Sequence, residues 1–168
     1  MPQSIQHTSV TILLAGAIAM LAFDIFGQAL SPLFGYAKLA PVGLAGSTLK
    51  EIFGANPKGA AYLLHSFTGI VAYSAGWVLI ARPLQKAILP GLPWLVTAIV
   101  YGVVLWVFAL YIMAHLVAGM KPFLGWGGIT YVALWGHIVY AIAAAWVSEA
   151  RGVSLTWRAT THHATSPA

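Results

Sequence analysis

The chain of 168 residues contains no cysteine, and only 7% of its residues are charged. Without cysteine it forms no disulfide bond, holds no iron–sulfur cluster and offers no thiolate ligand to a metal ion. A soluble domain carries roughly 25% charged residues, so this low content excludes an ordinary soluble globular protein. Histidine and carboxylate side chains are left as the strong ligands for any cofactor.

Acidic residues are the scarcest group, because three Asp and Glu stand against eight Lys and Arg and give a net charge of +5. The basic residues stand singly in predicted loops and in the C-terminal tail, as is typical of charges that flank membrane spans and contact anionic lipid. They are Lys38, Lys50, Lys58, Arg82, Lys86, Lys121, Arg151 and Arg158. We therefore expect membrane lipid, and no nucleic acid, as a partner.

Hydrophobic residues make up 60% of the chain and are concentrated in four long runs. These runs cover about residues 8–34, 59–81, 94–119 and 127–147. Each run meets the ~20 residues that a helix needs to cross the hydrocarbon core, and an open strand would leave its backbone unpaired there. The sequence predicts an all-α, polytopic membrane protein: a four-transmembrane-helix bundle with short loops in residues 1–150, then a polar, flexible tail in residues 151–168.

Signals between the runs predict how the spans end and how they are oriented. Arg82 followed by Pro83 predicts the end of the second span, and residues 47–53 predict a short amphipathic helix lying on the membrane surface. Residues 120–126 predict a tight turn. The basic residues divide four against four between the two sides, but Arg82 and Lys86 fall in a short loop, so the positive-inside rule favours both termini in the cytoplasm.

Each predicted span carries one ionisable residue, and these residues are Asp24, His65, His115 and His137. An ionisable group in hydrocarbon costs about 2.5–3.5 kcal/mol on insertion scales, so it usually faces the protein interior. Counting residues from the span ends at ~1.5 Å each predicts an upper pair, His65 with His115, and a lower pair, Asp24 with His137.

Two tyrosines share the helix faces of these histidines. Tyr111 precedes His115 by four residues, and Tyr140 follows His137 by three, spacings that place side chains on one face. With the four ionisable residues they form the predicted cofactor-binding set.

Several interpretations of this polar set stay open at the level of sequence. His65 and His115 are suited to ligate a haem b between two facing helices. Asp24 and the histidines are suited to bind a zinc, copper or iron ion through nitrogen and oxygen. The same groups also suit purely structural polar contacts, or a proton relay through Asp24 and His137.

Short motifs resemble those of an uncharacterised family of small four-helix bacterial membrane proteins, a domain of unknown function. They are Leu64-His65-Ser66-Phe67-Thr68-Gly69, the aromatic segment around Leu105-Trp106, and Gly136-His137-Ile138-Val139-Tyr140. The chain departs from the family pattern at Ala141 and in carrying His115. The resemblance implies the four-helix architecture and points to His65 and His137, but it implies no activity.

The sequence shows no serine triad, phosphate-binding glycine loop or paired-carboxylate site, so we predict that the protein is not an enzyme. The leading hypothesis is an accessory or scaffold subunit of an inner-membrane, bioenergetic complex, with other membrane-protein subunits as partners. The first alternative is a haem b electron-transfer protein that uses His65 and His115. The second is a proton or ion pathway through Asp24 and His137.

Overall fold

The structure is a computed structural model that describes residues 4–153 and 155. These residues form five helices and no strand. The helices are α1 (Ile5–Leu33), α2 (Pro41–Phe53), α3 (Ala60–Ile88), α4 (Trp94–Val117) and α5 (Gly128–Ala150). Of the predicted tail, only residues 151–153 and 155 are described, so the prediction of a flexible tail lies outside the described residues.

Four of the helices, α1, α3, α4 and α5, are long and apolar enough to cross a membrane. This finding confirms the predicted all-α bundle of four transmembrane helices and makes the chain a multi-pass membrane protein. Large apolar side chains cover the outside of the bundle, as contact with lipid requires; Leu21 on α1 and Ile80 on α3, for example, are exposed.

Helix α5 is the centre of the bundle, since it packs along both α1 and α4, while α1 also packs against the middle of α3. Glycines allow these close approaches. A Cβ added at Gly102 on α4 would lie 2.7 Å from the Cα of Ile138 on α5. A Cβ added at Gly16 on α1 would lie 2.0 Å from the carbonyl oxygen of Ile70 on α3. Small residues at such contacts are the usual means of helix packing in membranes.

Helix α3 continues to Ile88, so the predicted end at Arg82-Pro83 is wrong. Pro83 lies inside this helix, directly after the π-helical segment Gly76–Ala81, and such local adjustments of the backbone are one way in which membrane helices accommodate proline. The guanidinium of Arg82 donates two hydrogen bonds, of 2.7 and 2.9 Å, to the carboxylate of Glu149 on α5. This pairing neutralises the charge that would otherwise end the span.

Further polar contacts join the helices at the same end of the bundle. The indole N–H of Trp77 on α3 donates to the hydroxyl of Ser148 on α5 at 2.8 Å. Arg151, just after α5, donates from Nε to the hydroxyl of Thr11 on α1 at 2.8 Å. These bonds and the Arg82 pair fix the relative positions of α1, α3 and α5 at this end.

Helix α2 starts six residues before the predicted amphipathic helix of residues 47–53. Pro41 occupies its first turn, a favoured position for proline, and Gly54 ends it with a left-handed φ of 72°. Leu44, Ala45 and Thr48 fall on one face of this helix, and that face is turned into the protein. The helix packs against the start of α3 and the end of α4, so it covers the end of the bundle.

The predicted tight turn between α4 and α5 is confirmed, and its backbone is left-handed. Phe123, Leu124 and Trp126 have φ values of 48°, 54° and 58°, in a region that non-glycine residues rarely adopt. The hydroxyl of Thr130 donates to the carbonyl of Phe123 at 2.5 Å, and Trp106 donates to the carbonyl of Thr130 at 3.0 Å. These bonds tie the turn to α4 and α5.

Candidate intramembrane binding site

A cavity of about 740 Å³ lies at the end of the bundle that α2 covers. We call it the intramembrane cavity. Residues from all five helices line it, and most of their side chains are apolar. The lining residues with polar groups in their side chains are Thr48, His65, Thr68, Tyr73, His137 and Tyr140. Among the described residues that line the cavity, none is Lys, Arg, Asp or Glu. The interior therefore suits an uncharged molecule.

Part of the cavity wall on α3 and α4 is exposed. Ala72 on α3, and Val104 and Phe108 on α4, line the cavity and are also exposed on the outside of the bundle, Val104 by 56%. The two helices pack against each other nearer the opposite end, where residues 76–88 meet residues 94–107. At this level the rings of Tyr73 on α3 and Phe108 on α4 meet edge-on, 6.2 Å apart. We call the exposed part of the wall at Ala72, Val104 and Phe108 the lateral opening. It faces the surface that contacts lipid acyl chains.

His137, at the tenth position of α5, is a buried residue of the cavity wall, with 6% exposure. Its Nδ1 lies 2.7 Å from the carbonyl oxygen of Ala133, one turn earlier on the same helix. A carbonyl only accepts hydrogen bonds, so Nδ1 carries the hydrogen. In the neutral ring, Nε2 then keeps a lone pair. The helix backbone thereby fixes both the orientation and the tautomer of this imidazole.

His65, at the sixth position of α3, lines the same cavity and lies beside Asp24 of α1. Its Nε2 is 3.4 Å from Oδ1 of Asp24, and that oxygen also accepts a hydrogen bond of 2.7 Å from the amide of Gln28. Among the described residues, Nε2 of His65 has no hydrogen-bond partner although it is buried. Such unsatisfied buried groups are rare in proteins and call for a water, ion or ligand nearby.

Aromatic rings form the wall between the two histidines. The ring of Phe23 contacts His137 edge-on at 5.1 Å between centroids and His65 at 6.4 Å. The ring of Tyr73 lies 5.8 Å from Tyr140 and 6.3 Å from His137. Edge-to-face pairs of this kind have a favoured geometry, so the wall presents ring edges and faces to anything inside the cavity.

The part of α3 along the cavity is a π-helical segment, Thr68–Tyr73, whose carbonyl groups receive side-chain donors. The hydroxyl of Tyr140 donates to the carbonyl of Gly69 at 2.5 Å, and Ser74 donates to that of Ile70 at 2.6 Å. Tyr101 donates to the carbonyl of Tyr73 at 2.6 Å. In lipid, a departure from the regular α-helix needs such partners, and π segments occur often at functional sites.

The structure pairs the predicted site residues differently from the expectation. Asp24 lies beside His65 instead of His137, and the predicted upper pair of His65 with His115 is replaced by this contact. Nδ1 of His115 donates to the carbonyl of Met120 at 2.7 Å, and its ring lies 5.5 Å from Tyr111. Neither His115 nor Tyr111 lines the cavity. His65 and His137 share it, and Tyr140 lines it as well.

A protein-bound metal ion is not supported by this arrangement. Within residues 4–153 and 155, no three His, Asp or Glu side chains come together as they would around a metal ion. A haem b held by His65 and His115 is also not supported, because His115 is turned to the loop after α4 and makes no part of the cavity wall.

Tyr73, Phe23 and Met20 belong to the cavity wall but were absent from the predicted set. In the sequence they read as ordinary apolar or interfacial residues of spans. One weak signal was present for Tyr73, since it follows His65 by eight residues and falls on the same helix face. Comparison with protein-family models, curated proteins and solved structures gives no match to this chain, so the predicted resemblance to a family of unknown function stays a prediction.

Proposed function

We propose that this membrane protein binds a neutral, membrane-soluble small molecule inside its helix bundle, as a non-catalytic accessory protein of the bacterial inner membrane with both termini in the cytoplasm. The observation that carries the proposal is the cavity of about 740 Å³, whose wall includes exposed apolar residues of α3 and α4. Ligand sites in proteins usually have volumes of roughly 300–1,000 Å³ and combine an apolar wall with a few polar groups. The intramembrane cavity fits this description.

The uncharged wall supports a neutral ligand over an anionic one. A phosphate or carboxylate buried among these side chains would be unpaired, and an unpaired charge in an apolar interior is strongly unfavourable. A phospholipid headgroup is therefore a poor fit to the interior. Haem b carries two carboxylates, so the same reasoning makes haem and haem-based electron transfer less well supported than a neutral molecule.

The proton or ion pathway of the sequence analysis depended on a contact between Asp24 and His137. Asp24 is bonded to Gln28 and lies beside His65 instead, while Nδ1 of His137 is taken up by its own helix. Docking onto other membrane-protein subunits stays a prediction, because the exposed apolar side chains are those that lipid contact also requires. The intramembrane cavity is explained neither by an ion pathway nor by contact with lipid, and the proposal is therefore based on it.

Blocking the lateral opening is expected to remove the bound molecule. Ala72→Trp places a large ring at the opening, where Ala72 is exposed and the change disturbs little of the core. Crowding that costs about 1–3 kcal/mol weakens binding of the ligand by about 5–150-fold and so lowers its occupancy. Native mass spectrometry of protein purified in mild detergent, with extraction of bound molecules, measures this occupancy.

The matched control is Ile80→Trp, because Ile80 is exposed on the same helix but does not line the cavity. We expect this variant to keep the occupancy of the unaltered protein. A preparation in which the unaltered protein carries no small molecule, or in which Ala72→Trp carries as much as Ile80→Trp, would overturn the proposed function.

A further inference from the structure

The hydrogen-bonding role of one polar atom in the cavity wall, Nε2 of His137, is fixed by the protein itself. Its partner nitrogen, Nδ1, donates to the carbonyl of Ala133, so Nε2 of the neutral ring is a hydrogen-bond acceptor. Charging this imidazole would place a cation in an apolar interior at a high cost. A bound molecule that satisfies Nε2 must therefore supply a hydrogen-bond donor, such as a hydroxyl group.

The side chains around His137 favour a ring. Phe23, Tyr73 and Tyr140 lie within ring-contact distance of one another or of the imidazole. A planar unsaturated ring has many favourable edge-to-face and offset arrangements among such neighbours, whereas a simple acyl chain has none. The thioethers of Met20 and Met113 also line the cavity, and methionine adapts its shape to ring edges.

The position of the opening determines where the rest of the ligand lies. His137 is buried, whereas Ala72, Val104 and Phe108 at the lateral opening are exposed. A molecule with its polar end at His137 would therefore extend its other end through this opening into the acyl chains. Phospholipids have the opposite order, since their headgroups stay at the membrane surface.

From this geometry we infer that the ligand is a ring alcohol with an apolar tail, of the phenol or quinol type, whose hydroxyl donates to Nε2 of His137. The ring lies among Phe23, Tyr73 and Tyr140, and the tail leaves through the lateral opening. The inference rests on the proposed function and adds the ligand class and the polarity of its main hydrogen bond.

The experiment compares two probes that differ by one methyl group, a 4-alkylphenol and its methyl ether. Binding is measured by isothermal titration calorimetry on the full-length protein in nanodiscs. The ether keeps the ring and tail but cannot donate to Nε2. We expect the phenol to bind about tenfold more tightly or better, because the ether leaves a buried acceptor unpaired. In His137→Leu, which has no acceptor, this preference should disappear.

Each remaining result tests either the proposed ligand class or the proposal that the cavity binds a ligand. Equal binding of the two probes to the unaltered protein would refute the hydrogen bond to His137 while leaving the cavity as a binding site. Binding of neither probe, with a small molecule still found in the purified protein, would refute the ligand class alone. Binding of neither probe to a protein that carries no small molecule would refute the proposed function too. Iron protoporphyrin bound with a His137-dependent Soret band would also refute the inference.

Discussion

Replacing Gly16 with alanine is expected to lower the free energy of unfolding by about 3 kcal/mol, at the upper end of what overpacking costs. The new Cβ would lie 2.0 Å from the carbonyl oxygen of Ile70 and 2.7 Å from its Cα, so backbone and not a flexible side chain must move. The same oxygen already accepts the hydroxyl of Ser74 at 2.6 Å. Unfolding by titration with a denaturing detergent, followed by circular dichroism, measures the loss.

Gly128→Ala is the matched control for this prediction. Gly128 is the first residue of another span, and a Cβ added there meets no atom within 4 Å. The same chemical change should therefore leave the free energy of unfolding unchanged. If Gly16→Ala were as stable as Gly128→Ala, α1 and α3 would not approach as closely as described, and the wall of the cavity that α1 contributes would be misplaced.

Replacing His137 with leucine is expected to weaken binding of the cavity ligand by about 10–100-fold, because a buried hydrogen bond worth about 1–3 kcal/mol is lost. Leucine keeps much of the volume, so the fold should be retained. His137→Gln offers an amide oxygen as an acceptor and should recover part of the affinity. Mass spectrometry first identifies the bound molecule. Calorimetric titration of each purified variant with that molecule then measures the binding affinity.

His115→Leu is the matched control, because it shows whether removing any histidine from a span weakens ligand binding. His115 bonds to the carbonyl of Met120 and does not line the cavity, so its loss should leave ligand affinity unchanged. Both His115 and His137 belong to the cofactor-binding set predicted from the sequence. An equal loss of affinity in both variants would contradict the site described here and favour a pocket that includes the end of α4.

The four spans were predictable because hydropathy over about 20 residues is a property of the local sequence alone. The pairs formed by the ionisable residues of these spans were not predictable. Counting residues from the span ends predicts depth only if those ends lie at one level, and the count put Asp24 level with His137 and His65 level with His115. Direction around the axis changes by ~100° with each residue and depends on how neighbouring helices pack. The structure places Asp24 beside His65, so the counted difference in depth between these two residues was wrong.

Errors at helix ends have similar causes in tertiary contacts. From the sequence alone, Arg82-Pro83 indicates the end of a span. In the structure, the carboxylate of Glu149, 67 residues away, pairs with Arg82 and allows the helix to continue. Likewise, the first turns of α2 contain Pro41 and Gly43, which read locally as a loop. The turns are helical in the structure, and Leu44 and Ala45 in them are turned into the cavity beneath. The cavity itself has no signature in sequence, since residues from all five helices line it.

The central claim is that the intramembrane cavity of the folded protein holds a small molecule against His137. An experimental structure of the protein in nanodiscs, extracted with its native lipids, tests this claim most directly. We expect non-protein density within hydrogen-bond distance of Nε2 of His137, continuous with the lateral opening at Ala72 and Phe108. A structure in which α3 packs against α4 along its full length, with side chains filling the space beside His137, would contradict it.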